Sequence, residues 1–154
     1  PISETLVLAS DFLFQRESIT SKNVDGKKGV ILSDRGVYSF FTYQGIRLRK
    51  VYSGDHDWHQ WIENIFNPVG MPNLTICLTA PIEQIERRLI ERGDEVTNES
   101  LGFIHNAQLE FLRLGGKAEN PQAFVVLENL DGEFAHTLKN AQRVVSDILI
   151  PPNV

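Results

Sequence analysis

This sequence lacks long apolar runs, paired cysteines and an excess of basic charge, and each absence closes off a class of protein. No apolar stretch approaches the roughly 18 residues that a membrane-crossing helix needs, so no membrane partner is expected. The single cysteine, Cys77, excludes an intramolecular disulfide. Set within an apolar run, it reads as a small core residue. A net charge of -5 provides no basic footprint, and nucleic acid is not expected as a bulk ligand. The opening residues do not read as a secretory signal, and there is no internal repeat or low-complexity tract. A cytoplasmic protein is the expectation.

What is present fits one globular domain over residues 1–154 with a sizeable core. The chain is organised around Gly29 to Gly45. Val30-Ile31-Leu32 is a short apolar run that predicts a strand buried on both faces of a sheet. It turns polar at Ser33-Asp34-Arg35. In open α/β sheets, chemistry sits just beyond the carboxyl end of such a strand. A carboxylate at Asp34 can hold or orient hydrated Mg²⁺, and a guanidinium at Arg35 can grip a phosphate with two parallel hydrogen bonds. That combination suits phosphoryl transfer, although two residues alone are more often just an exposed Asp-Arg pair at a strand end.

Elsewhere the periodicity is clear. Residues 3–16 predict a helix capped by Ser3, with Leu6, Ala9, Phe12, Leu13 and Phe14 on its apolar face. Residues 17–28 are polar, with a turn at Asn23 and Asp25-Gly26. Residues 46–54 read as a basic, turn-like segment. Asp55 to Phe66 predicts an amphipathic helix bearing Trp58, Trp61, Ile62, Ile65 and Phe66, with Asp55 at its start. His56 and His59 in that segment lack the four-residue spacing of a helical zinc pair. Leu74 to Leu78 predicts a second strand. Pro81 then opens a helix with Ile82, Ile85, Leu89 and Ile90 as its stripe, ended by Gly93. Asn98 to Leu114 predicts a long helix, with Leu101, Ile104, Gln108, Phe111 and Leu112 facing inward, stopped by Gly115-Gly116. Ala123 to Leu127 predicts a third strand. Asp131 is expected to cap a last helix with Leu138, Val145, Ile148 and Leu149 on its apolar face. Strands separated by helices imply an α/β fold with a parallel sheet.

The run Asp34, Arg35, Ser39, Tyr43, Gln44, Gly45 resembles the signature of thymidylate kinases, without insertion or deletion. Met71 to Leu78 resembles the family's Pro-Asp-Leu strand, with Asn73 in place of the Asp. Pro81 to Gly93 resembles the helix leading to the family's lid, here about residues 92–99. The resemblance implies a three-layer P-loop kinase-like fold, ATP as phosphoryl donor with Mg²⁺, small-molecule nucleotides as partners, and a homodimer. It implies that Asp34 organises the metal and Arg35 clamps the acceptor phosphate. Ser39, Tyr43, Gln44 and Leu8 would line the acceptor nucleoside. Arg88 and Arg92 would act from the lid side, and Asn129 would lie near the donor base. Two departures are evident. The family's base-stacking Phe and base- or phosphate-contacting Arg are replaced by Leu8 and Phe12, and the lid, Asp94-Glu95-Val96-Thr97, is short and contains no arginine.

One motif is missing. GxxxxGK[ST] does not occur, and Gly26-Lys27-Lys28-Gly29 and Gly115-Gly116-Lys117 have neither its spacing nor its strand-loop-helix context. The resemblance places that loop and its strand and helix upstream of the first helix here. The expectation is therefore a fold lacking its central N-terminal strand, with a segment omitted. Three functional readings stay open: a kinase for dTMP, a kinase of the same fold for another monophosphate, and a nucleotide-binding relative without catalysis.

Overall fold

A computed structural model describes residues 1–22, 30–117 and 123–149. The chain divides into two compact units, Pro1–Pro72 and Asn73–Val154. The described part of the first unit is helical. The second is α/β with a small parallel sheet.

In the first unit, α1 (Ile2–Lys22) is longer at both ends than the sequence predicts, so Ser3 lies inside its first turn. Residues 17–22 continue the helix, while the predicted turn at Asn23 and Asp25-Gly26 lies outside the described residues. Next come α2 (Val37–Ser39), a π-helical segment (Phe40–Gln44) and α3 (Gly45–Val51). The basic segment expected to be turn-like is thus helical to Val51. Arg47 binds Glu4 at 2.5 Å and Arg49 lies 2.8 Å from His59, so these side chains have partners that stabilise a helix. The helix α4 (Trp58–Phe66) begins later than Asp55, because Asp57 is the residue whose carboxylate accepts the Gln60 N–H, at 3.0 Å.

The core of this unit is aromatic. Phe12, Phe40 and Phe66 form a triangle with ring centroids 4.6 to 5.7 Å apart, two of the three pairs edge to face. Leu48 and Ile62 are fully buried as well. The α1 face is narrower than its sequence suggests. Thr5 and Ala9 are buried, whereas Leu6, Leu8 and Phe14 are exposed.

The largest correction is at Val30–Leu32. These residues form no strand, and they are 67%, 54% and 94% exposed. A strand exists only through its ladder, and none of the described residues supplies one here. Among the described residues the sheet has two strands, both in the second unit.

Those strands are β1 (Thr75–Thr79) and β2 (Phe124–Glu128), each one residue later than predicted. They pair in parallel with Thr75 opposite Phe124 and Thr79 opposite Glu128. Cys77 is buried in β1, and burial raises its thiol pKa. The connection between them is α5 (Ile82–Arg92) and α6 (Asn98–Gly115), and α7 (Phe134–Leu149) follows β2. Both α6 and α7 pack on β2.

Gly93 closes α5 in the left-handed conformation, φ 86°, with its N–H donated to the Ile90 carbonyl. Thr97 and Ser100 form a reciprocal capping box at the start of α6. Gly115 is tight against Phe124, since a Cβ there would fall 2.4 Å from the ring. Four apolar helix positions differ from expectation: Ile90, Leu112, Leu138 and Ile148 are exposed. Asp131 is not the cap of α7, which begins at Phe134. Its carboxylate is bound instead by arginines of α5.

Candidate functional site

The signature residues of the first unit follow a bend. Ser33 donates its hydroxyl to the Arg35 carbonyl at 2.6 Å, and Arg35 takes φ 65°, left-handed for a residue that carries a Cβ. Such backbone is held only where its surroundings over-determine it, and it clusters at binding sites. The consequence is visible in the Arg35 side chain. Its guanidinium carbon lies 5.2 Å from the centroid of the Tyr43 ring. Residues eight apart in sequence, both expected to face the acceptor, are therefore in contact. Asp34 is exposed beside them.

The π-helical segment explains how Tyr43 and Gln44 are presented. Inserting a residue into the helical repeat rotates the side chains that follow, and such segments are frequent at functional sites. Phe41 and Thr42 are buried, and so is Gln44. The Thr5 hydroxyl reaches the Pro1 carbonyl at 2.9 Å and Gln44 Oε1 at 3.1 Å, and Thr5 is fully buried. The Gln44 amide is thus fixed by α1, a contact absent from the sequence reading. A threonine at a core-facing helical position was its only signal. Ser39 is half-buried at the end of α2, and Leu8 is exposed on α1.

Phe12, the replacement for the family's arginine, lies in the aromatic core, 5.6 Å from the Phe66 ring. His59 stacks on Phe41 with centroids 5.6 Å apart, and its Nε2 faces Arg49. A guanidinium can only donate, so His59 presents a lone pair there. Thr42 Oγ1 and Trp58 Nε1 are buried and have no hydrogen-bond partner among the described residues.

In the second unit the relevant residues collect at the carboxyl end of the sheet. The Asn129 N–H donates to the Thr79 carbonyl at 2.8 Å, carrying the ladder one step past the strands. Gln108 Oε1 accepts from the Ala80 N–H at 3.3 Å, and the Thr137 hydroxyl donates to the Glu128 carbonyl at 3.0 Å. Arg88 Nε donates to Asp131 at 2.8 Å and its Nη2 to the Asn129 carbonyl at 2.7 Å. Arg92 pairs with Asp94 at the far end of α5. Arg88 and Arg92, four apart and expected together, hold different partners.

Comparisons with known proteins agree with the signature. No family model matches the chain. No solved structure matches it. Curated relatives do. The chain is 29% identical over 133 residues to a probable thymidylate kinase of Methanosarcina mazei, covering 82% of this chain and 62% of that protein. It is 27% identical over 110 residues to a probable thymidylate kinase of Metallosphaera sedula, covering 71% and 50%. A third protein of that description, from Methanococcoides burtonii, is 21% identical over 148 residues, covering 96% and 71%. Over most of its length the chain is therefore similar to proteins described as probable thymidylate kinases. It spans 62% and 50% of the lengths of the first two relatives.

Proposed function

We propose that this chain serves a thymidylate kinase-like phosphotransfer, moving the γ-phosphoryl group of MgATP to dTMP or a related nucleoside monophosphate. The observation that carries the reading is the contact of Arg35 with Tyr43, which joins the two ends of the signature. In this reading Arg35 clamps the acceptor phosphate from beside the Tyr43 ring. Tyr43, Ser39 and Leu8 line the acceptor nucleoside. Gln44 supplies an amide held in place by Thr5. A phosphate oxygen of the acceptor attacks the γ-phosphorus, the bond to the β–γ bridging oxygen breaks, and ADP leaves. Positioning and charge neutralisation provide most of the catalysis. Arg92 at the edge of the lid segment and Asn129 at the sheet's carboxyl end are assigned to the donor side.

Mg²⁺ fits the donor set in one way. Among the described residues no three His, Cys, Asp or Glu side chains are grouped for a metal. Magnesium, however, commonly takes one or two carboxylates and completes its octahedron with phosphates and water, so the exposed Asp34 suffices for an ion arriving with the nucleotide. When bound, the ion neutralises charge on the transferred group.

The test is production of ADP from ATP and dTMP. The chain should turn over, and Arg35→Ala should abolish turnover while the far-ultraviolet circular dichroism stays unchanged. A second reading has its own support. Phe12 is committed to the core at the position where the resembling kinases carry an arginine, which favours a different monophosphate or binding without transfer. Thermal shifts with a panel of monophosphates separate the two. A shift by another monophosphate, with turnover, indicates changed base choice, and a shift without turnover indicates binding alone. If no monophosphate shifts the melting temperature, the acceptor-site assignment fails.

A further inference from the structure

Three residues of α5, Gln84, Arg87 and Arg88, grip the segment that leaves β2. The Arg88 guanidinium holds both the Asp131 carboxylate and the Asn129 carbonyl, at 2.8 and 2.7 Å. Gln84 Oε1 accepts the Asp131 N–H at 3.0 Å and lies 3.5 Å from Arg88 Nη2. Arg87 adds a second ion pair to Asp131. The segment 129–131 is thus fastened through a backbone carbonyl, a backbone N–H and a side chain. It stands just past the carboxyl ends of β1 and β2, the edge at which open α/β sheets receive ligands. A loop needs a rigid frame to bind anything in one orientation, and here an arginine supplies that frame.

We infer that Arg88 is a positioning residue for the donor nucleotide: it shapes the Asn129–Asp131 loop as the seat of the adenine base, and does not contact phosphate. The inference rests on the proposed kinase reading for the identity of the ligand. The geometry accounts for two nitrogens of the arginine: Nε and Nη2 are both engaged on the loop, and Nη2 also reaches Gln84. Side-chain exposure of Arg88 and Asp131 is 34% and 35%, so the pair is half-shielded and holds shape more than it adds stability.

The test uses the full chain, with Arg88→Ala and the milder Arg88→Lys in case the first does not fold. Amide hydrogen exchange at Leu130 and Asp131 should accelerate at least about tenfold, while exchange at Ile76–Leu78 stays unchanged. Unaltered exchange at the loop overturns the inference. The second readout compares ATP with inorganic tripolyphosphate by calorimetry. ATP should bind about tenfold more weakly and tripolyphosphate as before, on the scale of one charge-assisted hydrogen bond. Equal weakening of both would make Arg88 a phosphate contact and overturn the positioning role, as would faster exchange with unaltered ATP affinity. Wild-type chain that binds no adenine nucleotide would instead remove the kinase reading, leaving exchange to judge the frame.

Discussion

Val30–Leu32 and Thr75–Thr79 are two short apolar runs with opposite fates. The first is exposed and forms no strand, while the second is half of a parallel pair and buries Cys77. Local sequence does not separate them, since both are rich in residues that favour strands. The partner separates them. Thr75–Thr79 meets Phe124–Glu128 residue for residue, and the helices α6 and α7 cover β2. Val30–Leu32 has no such ladder among the described residues. Helices satisfy their own backbone groups, whereas a strand borrows its hydrogen bonds from elsewhere in the chain.

The units also differ in what holds them, and substitutions can separate the two. Phe66→Ala should have the largest effect. It removes one corner of the aromatic triangle, where Phe66 is 2% exposed. A loss of about 3–5 kcal/mol is expected by urea denaturation. If the units unfold independently, exchange in β1 and β2 will stay protected in this variant. Common loss of protection would show a single cooperative unit.

Gly115→Ala attacks the second unit. The new methyl would press on the Phe124 ring, itself 6% exposed, and overpacking of this kind costs about 1–3 kcal/mol. Here protection should fall first in β2. Thr97→Ala removes the hydroxyl that caps α6 and should cost about 1 kcal/mol, read in the same denaturation experiment.

The long helices were legible because their signals are local: the period of Ile62 and Phe66, proline before α5, Gly93 after it. The two true strands were read one residue early, by the same signal that misled at Val30–Leu32. The candidate site was legible as a string of residue types and not as an arrangement. The sequence places Arg35 and Tyr43 in one signature but does not specify the positive φ that brings them together. Asp131 looked like a helix cap because an Asp two or three residues before an apolar period is the usual signal. Its carboxylate was instead drawn to Arg87 and Arg88, 44 and 43 positions away. Thr5 and Gln44 are 39 positions apart, and their contact also depends on tertiary packing. Such pairings carry no local signature.

Alkaline pH should weaken the second unit by a smaller amount. Burial raises the Cys77 thiol, so the folded state keeps its proton where the unfolded chain, near pH 8.5, has begun to lose it. A raised folded pKa means that the stabilisation is complete below the unfolded value and is lost as pH rises through the folded one. The melting temperature should therefore fall above about pH 9, and Cys77→Ala should flatten the start of that fall. Tyr38 in the first unit is raised by burial as well and should extend the decline in the same direction at higher pH.

The smallest expected effect bears most directly on the opening contrast. Leu32 is 94% exposed, and Ile76, in β1, is half-buried. Leu32→Ser removes an isobutyl group already in water, so stability should change by no more than about 0.5 kcal/mol. Ile76→Ser takes a partly buried apolar group out of a paired strand and should cost about 1–3 kcal/mol. Equal losses at the two positions would mean that Val30–Leu32 is covered as β1 is covered, and that a partner strand forms there in solution. A near-zero value at Leu32 beside a substantial one at Ile76 would locate the difference between the two runs in pairing rather than in composition.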